Sequence, residues 1–141
     1  MRIATWNVNS IRTRLTQVKD WLKEEKPDLL CIQETKVDDP LFPEEELTEN
    51  GYHVCYHGQK AYNGVALISK YPLVDVRLGL IGELPNDAQA EQLGAQKRVI
   101  SALVNDIRVV NLYVPNGSSV GSEKYKYKIQ WLECLCRYLK A

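Results

Sequence analysis

The chain has 141 residues, 45% of them apolar and 26% charged, with 18 basic and 18 acidic side chains that cancel. That size and apolar content suit one ordinary domain with its own core and exclude a disordered charged tail, while zero net charge does not by itself point to a nucleic-acid partner. No uninterrupted run of about 18 apolar residues occurs, so no membrane-spanning helix is expected.

The opening Met1-Arg2-Ile3-Ala4-Thr5-Trp6-Asn7 turns polar too soon for a signal peptide, so a cytoplasmic location is expected. Ile3 to Val8 reads as a first strand closed by Asn9-Ser10. Ser10 is a good N-cap for a helix whose apolar positions Ile11, Leu15, Val18 and Leu22 recur at helical spacing, and Pro27 must end it. Asp28 to Gln33 is a nearly continuous apolar strand, the mark of burial on both faces. Strand, helix and strand within so short a span make a βαβ unit with parallel strands.

Lys36 to Asn50 is acidic and proline-containing, a loop with one short helix predicted at Glu44 to Thr48. Strands are predicted at Tyr52 to His57, Val65 to Ser69, Val74 to Leu80 and Arg98 to Val104. Asn105-Asp106 then makes a tight hairpin into Ile107 to Val114. Gly82 to Gln96 is polar and expected as a surface loop. Glu123 to Leu139 reads as a helix with Ile129, Leu132, Cys136 and Leu139 on its apolar face. Of the four cysteines, Cys31 and Cys55 lie in strand-like stretches as small apolar residues. Cys134 and Cys136 lie two apart on the last helix and should not pair, and neither histidine has metal-ligand spacing to a cysteine. The final helix has no strand after it, which in a mixed α/β pattern favours an incomplete domain.

The βαβ unit places the ends of its two strands side by side, so that Asn7 and Glu34 share one crevice. A carboxylate and an amide oxygen there are hard ligands of the kind that hold Mg²⁺ or Mn²⁺, although an Asn and a Glu at strand ends are more often caps or surface groups. Residues 97 to 141 are rich in Lys and Arg, Lys124, Lys126 and Lys128 among them, and a solvated helix face accounts for them as easily as a phosphate-binding surface does.

Four stretches resemble the exonuclease III/AP endonuclease family in its order. They are Trp6-Asn7-Val8-Asn9-Ser10-Ile11-Arg12, Gln33-Glu34-Thr35-Lys36, Tyr56-His57-Gly58 with Tyr62-Asn63-Gly64-Val65-Ala66, and Asn111-Leu112-Tyr113-Val114-Pro115-Asn116-Gly117. The one departure is Ser10, where the family usually has glycine. The resemblance implies an α/β fold, the N-terminal part of a four-layered αββα sandwich (DNase I-like) with a mixed sheet and covering helices. On this expectation residues 1–141 build roughly one of its two sheets and leave an apolar face open to association.

The resemblance also implies roles. Glu34 would be the direct carboxylate ligand of Mg²⁺ or Mn²⁺, with Asn7 beside it. Tyr113 would donate to the scissile phosphate, Arg12 and Asn116 would contact substrate phosphate, and Tyr62 would approach the DNA groove. Lys36 would balance Glu34 from behind. The implied activity is DNA phosphodiester hydrolysis in base excision repair, at abasic sites and 3′ ends of double-stranded DNA. The family's later G-D-x-N and S-D-H motifs have no counterpart, and His53 and His57 match neither, so the chain alone is expected to be inactive or nearly so. Two alternatives stay open: another phosphoesterase of the same fold, such as a lipid or inositol-phosphate hydrolase, and a non-catalytic DNA-binding or partner-binding remnant.

Overall fold

Strands β1 (Ile3–Asn7) and β2 (Leu29–Gln33) run parallel and are joined by helix α1 (Ile11–Glu25), so the βαβ unit is present in the computed structural model, which describes residues 1–141. Ser10 caps α1 as read, its hydroxyl accepting from the Thr13 N–H at 3.3 Å. Lys26 closes the helix in the left-handed region, its N–H donating to the Leu22 carbonyl, and Pro27 bars continuation. Helix α2 (Glu44–Thr48) leads to strands β3 (His53–His57) and β4 (Val65–Ser69). β4 pairs antiparallel with both β2 and β3, giving the order β1-β2-β4-β3.

The rest of the chain forms a second sheet. Strands β5 (Val74–Leu78), β6 (Val99–Val104) and β7 (Ile107–Leu112) are antiparallel, with helix α3 (Ala88–Leu93) between β5 and β6 and helix α4 (Glu123–Lys140) after β7. The pleat sorts the core into three seams. Leu30, Ile32, Ala66 and Ile68 face α1, where Ile11, Val18 and Leu22 pack on them. Leu29, Cys31, Val65 and Leu67 point the other way and meet Ile100, Ala102 and Val104 of the second sheet. That sheet's outer face takes Trp131, Cys134, Leu135 and Tyr138 of α4. The layering is therefore α/β/β/α, and β2 reads as an unbroken apolar run because both its faces are covered.

Four expectations are corrected. The chain does not build one sheet; it supplies strands to both, because β6 and β7 can bury one face only on β2 and β4 and the other only under α4. Within the expected loop Gly82 to Gln96 lies α3, capped by Asp87 accepting from the Ala90 N–H at 2.9 Å. Only Ala90 and Leu93 of α3 are buried, too few positions to register as a period. On α4 the buried residues are Trp131, Cys134, Leu135 and Tyr138, whereas Ile129 is 38% and Leu139 60% exposed. Two stripes share helical spacing there, and the one with two large aromatics removes more apolar area from water. Finally, β5 ends at Leu78 and β7 at Leu112, short of the predicted limits.

All four cysteines are free, Cys31 and Cys134 buried, and no helix is long and apolar enough to cross a membrane. β1 is an edge strand, bonded only to β2. Beside it, Ala4, Thr5, Trp6, Trp21 and Leu30 line a shallow depression of about 200 Å³, with Trp6 set edge-on against Trp21.

Candidate active site

Three chain segments converge where the sheets' ends meet: Asn7 at the end of β1, Glu34 just after β2 and Tyr113 just after β7. Glu34 (φ 57°) and Lys36 (φ 53°) both adopt the left-handed region, uncommon for side-chain-bearing residues and strained unless the surroundings enforce it. The surroundings do. The Ser10 N–H donates to the Glu34 carbonyl at 2.8 Å and the Ile11 N–H to the Thr35 carbonyl at 3.1 Å. From the other side, the Thr35 and Lys36 N–H groups donate to the carbonyls of Gly64 and Asn63 at 3.2 and 2.9 Å. Gly64 must be glycine, with φ at +96° and a Cβ there falling 1.9 Å from the Thr35 hydroxyl.

The Glu34 carboxylate collects donors. Its Oε1 accepts from the Tyr113 hydroxyl at 2.6 Å and from Asn7 Nδ2 at 3.1 Å. Its Oε2 lies 3.4 Å from Lys36 Nζ, which also donates to Asn9 Oδ1 at 2.5 Å. Burial alone would raise the Glu34 carboxyl, but the Tyr113 and Asn7 hydrogen bonds and the Lys36 charge outweigh it and hold it below the usual glutamate value. Burial and the Glu34 carboxylate push the Tyr113 phenol up, so it remains a neutral donor at pH 7. An anion and a donor thus stand side by side, each stabilising the other's protonation state.

Glu34, Lys36, Tyr113 and Asn116 line a cleft of about 710 Å³, whereas Asn7 is not part of its wall. Tyr62 stands at its rim, 71% exposed. Asn116 Oδ1 accepts from the Ser118 N–H at 3.0 Å, which orients its amide N–H₂. Arg12 is exposed in the first turn of α1 and does not line the cleft. Neither His53 nor His57 reaches it. Burial and nearby Lys97 hold the His57 imidazole below its ordinary value.

Three residues given no role from the sequence also belong here. Arg98 lies over the Tyr113 ring at 4.6 Å, donates to the Tyr113 carbonyl at 3.1 Å and faces the Tyr127 ring at 5.9 Å. Gln33 and Asn111 lie directly beneath the Glu34–Tyr113 pair. Both are polar residues on largely apolar strands, a signal that marks them without showing what they bridge.

No three His, Cys, Asp or Glu side chains gather anywhere in the chain. Glu123, the other carboxylate at the cleft, is 92% exposed at its side chain and ion-paired with Lys126. The donor set nevertheless suits a hard divalent cation. Mg²⁺ commonly binds through one or two carboxylates completed by water and substrate phosphate, and Glu34 offers an ionised carboxylate, 19% exposed. Asn7 turns its amide nitrogen to Glu34, and its oxygen accepts from the Asn9 N–H at 3.2 Å, so Asn7 would offer an oxygen ligand only by turning over its amide.

A sequence profile of the Endonuclease/Exonuclease/phosphatase family matches residues 4–132. The chain belongs to this family. It is 37% identical to exodeoxyribonuclease III of Haemophilus influenzae, across 99% of this chain and 51% of that protein. An AP endonuclease of Archaeoglobus fulgidus superposes with a TM-score of 0.88 at 48% identity, covering 99% of this chain and 51% of the other. A Neisseria 3′ phosphatase, solved bound to a product DNA hairpin, superposes with a TM-score of 0.88 at 44% identity over the same shares. The chain therefore spans about half the length of the family members it matches, and the four-layered fold is that of the AP endonuclease structure.

Proposed function

We propose that this chain carries the metal-holding and phosphate-binding part of a DNA phosphodiesterase site of the exodeoxyribonuclease III/AP endonuclease type. The observation behind the reading is the Glu34–Tyr113 pair, an ionised carboxylate bonded to a neutral phenol at the mouth of a polar cleft. The proposed substrate is double-stranded DNA at abasic sites or 3′ ends, a reading supported by relatives named exodeoxyribonuclease III, AP endonuclease and 3′ phosphatase.

Glu34 and Asn7 would hold Mg²⁺ or Mn²⁺, which when bound would neutralise charge developing on the phosphoryl oxygens. Tyr113 would then release part of its bond to Glu34 and donate to a non-bridging phosphate oxygen, worth most in a site sheltered from water. Asn116 would offer its amide donors to the same phosphate, and Arg12 would hold the flanking strand outside the cleft. Tyr62 at the rim would meet the DNA groove. Lys36 would keep Glu34 ionised before the cation arrives. Activating the attacking water needs a positioned base, and Glu123 and the two histidines are not placed for it. We infer that the 141-residue chain alone turns over slowly or not at all. The open edge of β1, with Ile3 48% exposed, would serve as the surface of association.

The test is cleavage of a duplex bearing one abasic-site analogue, in Mg²⁺ and in EDTA, beside Glu34→Ala. Metal-dependent incision that disappears in Glu34→Ala supports the reading, either from the chain alone or after adding the C-terminal half of a relative. Incision unaffected by Glu34→Ala or by EDTA would refute it. DNA binding that is salt-sensitive but indifferent to metal, without turnover even with the added half, would favour a binding remnant instead.

A further inference from the structure

Asn111 is 2% exposed and lies between the two sheets. Its Nδ2 donates to the Ile32 carbonyl at 2.8 Å and to the Ala66 carbonyl at 2.9 Å. A β7 side chain is thus fastened to the backbones of β2 and β4. Its Oδ1 accepts from Gln33 Nε2 at 2.8 Å, and that same Nε2 donates to Thr5 Oγ1 at 2.8 Å. Four strands of two sheets are therefore tied by two amide side chains.

An aligned or orthogonal sheet seam needs no such tie for its stability, because apolar side chains would fill the same space without leaving polar groups to satisfy. A fully bonded buried amide pair fixes one register between the sheets, whereas interdigitated aliphatic side chains tolerate small sliding. What lies immediately above the tie makes that register matter. Gln33 directly precedes Glu34 and Asn111 stands two residues before Tyr113, so each amide holds the strand end from which one member of the pair extends. The 2.6 Å bond between Glu34 and Tyr113 crosses from one sheet to the other, and a shift of one ångström in the seam would break it.

We infer that Gln33 and Asn111 are positioning residues, an inter-sheet clamp that sets the spacing of Glu34 and Tyr113. The inference concerns geometry within this chain and rests on the proposed function only in taking that pair as the working part of the site. Neither amide touches the cleft or the reacting groups. Their effect passes through the two residues they space, as supporting partners around metal ligands do.

The experiment uses the 141-residue chain with Gln33→Met and Asn111→Leu, which keep the volume and remove the amides. Val104→Ala is the control, cutting the same inter-sheet core at the opposite end of β6. Three quantities are read: the melting temperature, the ¹³Cζ chemical shift of Tyr113 at pH 7 (assigned with Tyr113→Phe), and Mn²⁺ affinity by spin resonance. In Gln33→Met the Tyr113 signal is expected to move to the position it takes in Glu34→Ala, and Mn²⁺ binding to weaken about tenfold or more. Asn111→Leu should do the same with a larger drop in melting temperature. Val104→Ala should lower the melting temperature and leave the Tyr113 signal where it was. Amide variants that melt lower yet keep the wild-type Tyr113 signal would overturn the clamp and reduce it to a stability element. A wild-type chain that binds no Mn²⁺ would count against the metal reading alone, because the Tyr113 signal judges the clamp without metal.

Discussion

The Tyr113 hydroxyl donates to Glu34 Oε1 across 2.6 Å, and the two residues extend from different sheets. Each side chain therefore reports on whether the sheets are seated correctly. Glu34 gains most, since the bond helps keep it ionised in a place where burial would otherwise favour its protonated form. The carboxylate is thus held ionised at the cleft.

This has a pH signature. Because the Glu34 carboxyl titrates below its ordinary 4.5 in the folded chain, the unfolded chain binds the proton more readily near that pH. Its contribution to stability is then fully present at neutral pH, begins to fade as pH falls through 4.5, and is lost below the folded value. Urea unfolding of the wild type and Glu34→Gln at a series of pH values should give a stability difference that changes in that acid range and is flat from pH 6 to 8. A difference that instead changed around neutrality would contradict the lowered carboxyl.

Removing the donor should be visible on the carboxylate. In Tyr113→Phe the Glu34 carboxyl is expected to titrate higher than in the wild type, moving in the direction burial dictates, with Asn7 and Lys36 still holding part of the effect. The ¹³Cδ resonance of Glu34 followed against pH measures this directly. An unchanged titration would mean that the phenol contributes nothing to keeping the site charged.

The βαβ unit, the Ser10 cap, the stop at Pro27 and the strand ends that carry Asn7 and Glu34 were readable from the sequence, because strong periodicity and local turn chemistry act within about 30 residues, whereas Tyr113 was singled out by the motif resemblance alone. Seam membership is different. That β6 and β7 stack on β2 and β4 depends on long-range burial, and nothing local in Ile100 or Val109 says which sheet they cover. Helix α3 was hidden for the same reason, having only Ala90 and Leu93 turned inward. Gln33 and Asn111 sit inside the motif stretches, yet a polar residue in a strand is legible as a bridge only once the opposite sheet is in place.

Ser10 connects motif to backbone. It has φ at 89°, a region glycine enters freely and serine does not, which gives a physical reason for glycine in the resembling motif. Serine offsets the strain by capping α1 through the Thr13 N–H. Ser10→Ala keeps the strain and loses the cap, so it should cost about 1–2 kcal/mol. Ser10→Gly loses the same cap but relieves the strain, and should fall within about 0.5 kcal/mol of wild type or exceed it. Chemical denaturation of both variants decides the point. Equal losses would mean that the left-handed backbone carries no strain.

Helix α4 offers the sharpest contrast between two readings of one sequence. Ile129, Leu132, Cys136 and Leu139 form a stripe with respectable helical spacing, and so do Trp131, Cys134, Leu135 and Tyr138. The structure buries the second, with Trp131 only 1% exposed against Val99 and the inner turns of α3 and α4. Trp131→Ala would empty a large volume that Val99, Leu93 and Ala90 cannot fill without moving, for a loss of about 3–5 kcal/mol. Leu139→Ala removes a side chain that is 60% exposed and should change stability by no more than about 0.5 kcal/mol. Both can be read from urea midpoints at constant slope. If Leu139→Ala proved the more damaging, α4 would be rotated on the second sheet, and with it the cleft wall that Lys124 and Tyr127 contribute.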